Sequence, residues 1–241
     1  MAARKILIIQ HMAWEGPGGH LQRSLEEHRI PYEIAEVWHA PLPPLAPFRG
    51  VVVLGGSPNV DEEEAFPYLV PLKSFIRETI ASGRAYLGFC LGHQLLAHVL
   101  GCKVGPLPRK SVGFTTGSLT PAGRAHPVFQ GLPDRYLLFK WHGQGVLPPL
   151  PPGVNLLAAS PAAPVEALGL PENPGVLGLQ YDNHADAGDA ARWLAHDRDW
   201  ALAGSGVDPE ALLTQAKEAQ DTIGKEFRRF LSNFFQVAGM I

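Results

Sequence analysis

The chain has 241 residues, enough to bury one large α/β core or two small ones, and its 46% hydrophobic and 18% charged content is that of an ordinary folded protein. A net charge of -3 without a clustered basic stretch argues against nucleic acid as a partner, because phosphate binding needs concentrated cationic surface. No run approaches the roughly 18 apolar residues that cross a bilayer, so no membrane partner is expected. Two cysteines, Cys90 and Cys102, make no disulfide framework and point to a reducing, cytoplasmic setting.

In chain order, residues 1–9 have a positive end and an apolar run too short for a secretory signal, so Lys5 to Gln10 reads as a first strand. Gly16-Pro17-Gly18-Gly19 leads into a helix from His20 to His28. Leu21 stands where the third glycine of a phosphate-cradling G-x-G-x-x-G would be, so a plain turn is expected. Tyr32 to Trp38 predicts a second strand, and Pro41 to Pro47 a stiff connector. Arg49 to Leu54 reads as a central parallel strand, ending at Gly55-Gly56-Ser57-Pro58, where open α/β sheets place their ligands. Asp61 to Glu64 reads as a solvated loop, and Tyr68 to Ser82 as a helix closed by Gly83.

The stretch Ala85-Tyr86-Leu87-Gly88-Phe89-Cys90-Leu91-Gly92-His93-Gln94 predicts strand, sharp turn, helix. It is the hydrolase pattern G-x-S-x-G with cysteine in the serine position. A nucleophile on so tight a turn needs unbulky neighbours two residues away on either side, and the helix amides from Leu91 onward aim at an anion forming beside the sulfur. The bland alternative is a buried cysteine filling a strand end.

Beyond Gly101 the chain predicts short strands over Val112 to Thr120, Tyr136 to Trp141, Val154 to Ser160, Val165 to Leu170 and Val176 to Tyr181, read as antiparallel extensions of the same sheet. Helices follow over Asp186 to Asp197 and Asp208 to Gln236, the second with a core stripe of Ile223, Phe227, Phe230 and Phe234. No linker-like segment intervenes, so residues 1–241 are expected to form one domain: a three-layer, doubly wound α/β fold of flavodoxin-like type, with a mostly parallel sheet and an antiparallel extension.

Gly55-Gly56-Ser57-Pro58, the elbow at Cys90 and Gly178-Leu179-Gln180-Tyr181, in this order and spacing, resemble the class I glutamine amidotransferase family, including the glutaminase-type domain of GMP synthase. The resemblance implies hydrolysis of the side-chain amide of glutamine, or of a γ-glutamyl compound, with release of ammonia. It makes Cys90 the nucleophile that forms a thioester, and the backbone amides of Leu91 and Gly56, beside Gly55, the oxyanion hole. Gln94 matches a substrate-side residue. His142, in Trp141-His142-Gly143-Gln144, matches a motif near the family's site that usually carries an acid where Gln144 stands.

The departure comes after Tyr181, where the family reads G-x-Q-aromatic-His-x-Glu and this chain reads Gly178-Leu179-Gln180-Tyr181-Asp182-Asn183-His184-Ala185-Asp186. Aligned without a gap, Asp182 takes the position of the base and His184 that of its orienting acid. In one reading the two exchange roles, and His184 turns toward Cys90 with Asp182 as support. In a second, two residues are inserted and His184-Ala185-Asp186 is the dyad. In a third the dyad is lost and the pocket binds a ligand or regulates a partner, since a carboxylate beside Cys90 raises the thiol pKa. Asp182, His184 and Asp186 make a poor metal set, and no cofactor is expected. The sequence lacks a G-x-x-x-x-G-K-[ST] loop, so ammonia transfer would need a separate synthetase or acceptor protein.

Overall fold

Apolar runs four to six residues long alternate with amphipathic helices through the first hundred residues, and strands so connected pair in parallel. The computed structural model describes residues 5–241; residues 1–4, part of the expected approach to the first strand, lie outside the described residues. The first half runs β1 (Ile6–Gln10), α1 (Gly19–Glu27), β2 (Tyr32–Glu36), β3 (Gly50–Val53), α2 (Leu69–Ala81), β4 (Ala85–Phe89) and α3 (Leu91–Val99). The second half runs β5 (Lys103–Leu119), α4 (Pro121–Ala125), β6 (Arg135–Leu147), β7 (Asn155–Ala159), β8 (Ala167–Leu170), β9 (Asn173–Leu179), α5 (Ala187–His196), α6 (Arg198–Leu202) and α7 (Pro209–Val237).

Among the described residues nine strands join one sheet in the order β2-β1-β3-β4-β9-β8-β7-β5-β6. The five strands from β2 to β9 pair in parallel, and β8, β7, β5 and β6 extend the sheet in antiparallel fashion. Strand alternation sends Ile6, Ile8, Leu87 and Phe89 to one face, where α7 packs Phe227, Phe230, Phe234 and Phe235, and sends Leu7, Ile9 and Tyr86 to the other, under Leu72 and Ile76 of α2 and Leu95 and Leu96 of α3. The result is the expected three-layer α/β fold. Among the described residues no helix is long and apolar enough to cross a membrane.

Two strands differ from expectation in ways that shape the site. β5 begins nine residues before Val112, because Pro106 and Pro108 do not end the strand; the pairing with β6 shifts register between Pro106 and Ser111 instead. A proline without an N–H is tolerated at such an irregularity, and the displaced residues Leu107 to Lys110 hang over the sheet's carboxyl end. β6 continues six residues past Trp141, so His142 lies within a paired strand opposite Ser111. β9 ends at Leu179, leaving Gln180 to Asp186 as the loop that enters α5.

Candidate active site

Cys90 sits between β4 and α3 with φ 45° and ψ -103°, a left-handed conformation costing a non-glycine residue about 1–3 kcal/mol. The turn is closed around it: Cys90 N donates to Leu179 O at 2.9 Å, Gln94 N to Cys90 O at 3.0 Å, and Gly92 N to Leu54 O at 3.2 Å. A Cβ on Gly88 would lie 2.4 Å from the Gly92 carbonyl, and one on Gly92 would lie 2.2 Å from Val53 O, so both positions next to the elbow need glycine. The Leu91 amide is near enough to lower the Cys90 pKa, the thiol donates to Trp141 O at 3.9 Å, and Gly55 packs on Cys90, with a built Cβ 3.4 Å from Cys90 Cβ.

The elbow opens on a cavity of about 600 Å³ at the carboxyl end of the parallel strands. Cys90, Gly56, Gln94, His142 and Gln144 line it, together with Trp14, Glu15, Arg109, Lys110, Trp141, Asp197 and Trp200. Gln94 Nε2 donates to Gln144 O at 3.0 Å and to Gln180 Oε1 at 3.2 Å, which ties α3 to β6 and to the loop after β9. His142 Nδ1 is 2.7 Å from Gln144 O, and its buried Nε2 has no partner. Burial and the nearby Lys140 ammonium push its pKa well below 6.5, leaving a neutral ring.

Asp182 is the member of the altered dyad whose charge acts on the Cys90 thiol. Its carboxyl is buried and both oxygens lack a hydrogen-bond partner. Burial first, and the Asp182 and Glu15 carboxyls after it, push the Cys90 thiol well above 9. Burial and Glu15 likewise push Asp182 well above the usual carboxylate range.

His184 is fully buried beside Asp182. Its ring stacks on Phe89 at 4.4 Å between centroids and faces Trp193 at 6.0 Å, within the core under α5 and α7. Burial lowers its pKa to about 3, so the ring is neutral and its contact with Asp182, 4.0 Å from Nδ1 to Oδ1, is no salt bridge. The loop cannot readily rotate: Asn183 accepts from Phe139 N and donates to Leu137 O, both at 2.8 Å, and Asp182 N donates to Phe139 O at 2.8 Å. The His184 carbonyl accepts from His20 N and Leu21 N, at the start of α1.

Asp186 is the N-cap of α5, accepting from Gly188 N and Asp189 N and pairing with Arg23, so it does not support an imidazole at 184. Asp182 and His184 thus touch each other at 4.0 Å, and Asp186 turns away to cap α5. Among the described residues no group of three or more His, Cys, Asp or Glu side chains is arranged to hold a metal ion.

Two features escaped sequence reading. Glu15, in the turn after β1, presents its carboxyl to the same cavity, and burial with the Asp197 charge raises its pKa to about 8. Behind Asp182, Lys140 and Glu166 form an ion pair with side chains only 1% and 0% exposed, and Ser160 Oγ donates to the second Glu166 oxygen. The one visible signal was a charge inside each of two apolar strand runs.

Residues 18–184 match the family described as glutamine amidotransferase class-I. The glutamine-hydrolyzing GMP synthase of Thermomicrobium roseum is 32% identical over 202 residues, which cover 82% of this chain and 34% of that protein. One subunit of the glutamine-hydrolyzing GMP synthase of Ignicoccus hospitalis is 31% identical over 179 residues, 73% of this chain and 87% of that polypeptide. The chain therefore spans about a third of the first relative and most of the second. Among solved structures, a glutamine amidotransferase from Thermotoga maritima superposes with a TM-score of 0.86 at 25% identity, over 97% of both chains.

Proposed function

The chain belongs to the class I glutamine amidotransferase family, and from that premise we propose that it binds glutamine or a γ-glutamyl compound at Cys90 but has given up the family's fast release of ammonia. The observation that carries this reading is that the dyad member whose charge acts on the Cys90 thiol is a buried carboxyl, Asp182, and not an imidazole. The elbow, the Leu91 amide, Gly56 and Gln94 remain around the cavity, so a carboxamide can be seated with its oxygen toward backbone donors.

Thioester formation requires the Cys90 proton to leave and a proton to reach the departing nitrogen. A buried carboxyl with a raised pKa cannot do both: when neutral it already holds a proton and cannot take the thiol's, and when ionised it opposes the thiolate. The raised thiol pKa carries the same message. The chain then acts as a ligand-responsive module, and nitrogen transfer, if it occurs, falls to a separate synthetase or acceptor protein.

A second reading is favoured by one observation. The unpartnered Nε2 of His142 lies in the cavity lining and could serve as a weak base for slow turnover of glutamine or a γ-glutamyl peptide. An electrophilic glutamine analogue separates the two. We expect glutamine to raise the melting temperature while the analogue leaves Cys90 unlabelled at pH 7.5, read by intact mass. Rapid stoichiometric labelling, abolished in Cys90→Ala and slowed in His142→Gln, would replace the silent reading with the second one.

A further inference from the structure

Glu15 is 7% exposed, lines the cavity, and has a carboxyl that no described hydrogen bond takes up. A Cβ built on Gly55 would lie 2.4 Å from Glu15 Oε1 and 3.4 Å from Cys90 Cβ, which places that oxygen within about 6 Å of the Cys90 side chain. Asp197, on the same cavity wall, raises the Glu15 pKa; it accepts from Trp141 Nε1 at 3.1 Å and feels the Lys110 ammonium. Two acids therefore share one wall, and no described salt bridge takes up Glu15. A buried carboxyl left unpaired is costly, and a ligand that brings a positive charge removes that cost.

We propose that Glu15, assisted by Asp197, is the receptor for an ammonium group on the ligand, so that the site selects a carboxamide carried by a free α-amino acid over the same carboxamide with its amine blocked. The proposal rests on the carboxamide reading of the Cys90 pocket and adds which end of the ligand is read, and by which residue. The reach fits, since the side-chain amide and the α-ammonium of glutamine are a few bonds apart and Glu15 lies near the sulfur. Arg109 and Lys110 line the same cavity and supply the opposite charge for the α-carboxylate.

The arrangement ties affinity to pH. Free Glu15 holds its proton up to about pH 8; an ammonium binds the ionised form, so binding expels a proton, and affinity rises with pH until Glu15 is ionised in the free protein. The other groups around Glu15 are Asp197, Asp182, Cys90, Tyr68 and the neutral His11. Asp182 and Cys90 keep their protons well above their ordinary values, and His11, with a pKa of about 3, stays neutral.

Calorimetric titration with L-glutamine and N-acetyl-L-glutamine, at pH 6.0 and 7.5, tests this. We expect wild type to bind glutamine at least about tenfold tighter than the acetylated form at pH 7.5, and the glutamine affinity to rise about tenfold or more between the two pH values, toward the linkage limit of about tenfold per pH unit for one proton. In Glu15→Gln both the preference and the pH dependence should vanish while the acetylated ligand binds as before; Asp197→Asn should shrink the preference less. Equal affinity of wild type for the two ligands would overturn the ammonium receptor and leave the carboxamide pocket standing. Retention of the preference in Glu15→Gln would do the same, whereas binding of neither ligand would overturn both.

Discussion

Replacing Asp182 with His and His184 with Glu together should raise Cys90-dependent ammonia release from glutamine by about 10²–10⁴, the range that a positioned acid–base residue contributes. The charge at position 182 already acts on Cys90, and the side chain at position 184 comes within 4.0 Å of the one at 182. An imidazole at 182 would take the thiol proton and pass it to the leaving nitrogen, while a carboxylate at 184 would hold the ring in one tautomer. The swap also removes a carboxyl that raises the Cys90 pKa. Asp182→His alone should gain less, because the residue behind the new base would be a neutral imidazole that leaves its charge uncompensated. Cys90→Ala in the double variant should abolish the gain. A folded double variant that binds glutamine and releases no more ammonia than wild type would show that the altered dyad is not what silences the site.

Lys140→Met should destabilise the protein by about 3–5 kcal/mol, the cost of leaving one member of a buried ion pair without its partner. Glu166 is fully buried and anchors a junction: its carboxyl meets Lys140 and Ser160, its N–H donates to Ala158 O, and its carbonyl accepts from Gln180 N, the last two at 2.8 Å. Burial pulls the Lys140 pKa down and Glu166 opposes that pull, so the charge depends on the pair. Lys140→Met with Glu166→Leu should recover most of the loss, since an apolar pair of similar size needs no desolvation. Urea unfolding with an unchanged slope and a lower midpoint would give the expected result. A loss below about 1 kcal/mol in the single variant would mean that Glu166 finds another partner.

The fold was legible because its signals are local. Strands and helices follow one another through Gln94, Gly88 is required by a contact four residues away although Gly92 is required by Val53 on β3, and the Asp208-Pro209 start and phenylalanine stripe of α7 follow helical spacing. Strand β5 was read short because a proline signals a break by itself, and only the register shift against β6 shows how the strand continues past it. The site was legible at Cys90, Gly56 and Gln94, which share a cavity, and illegible where long-range contacts decide. The direction His184 takes is set by Asn183, whose partners at 137 and 139 lie more than forty residues earlier. Glu15 looks like a loop acid until Gly55, just after β3, closes against it. Lys140 in β6 and Glu166, just before β8, find each other across 26 residues.

The central claim is that the cavity holds a carboxamide that Cys90 does not cleave, and binding and chemistry measured in one sample test it most directly. Wild-type protein is titrated with L-glutamine at pH 7.5 in a calorimeter, and the same solution is then assayed for ammonia. The account predicts saturable binding with ammonia release no greater than that of Cys90→Ala. Ammonia release that depends on Cys90 and turns over many times per protein molecule would contradict it.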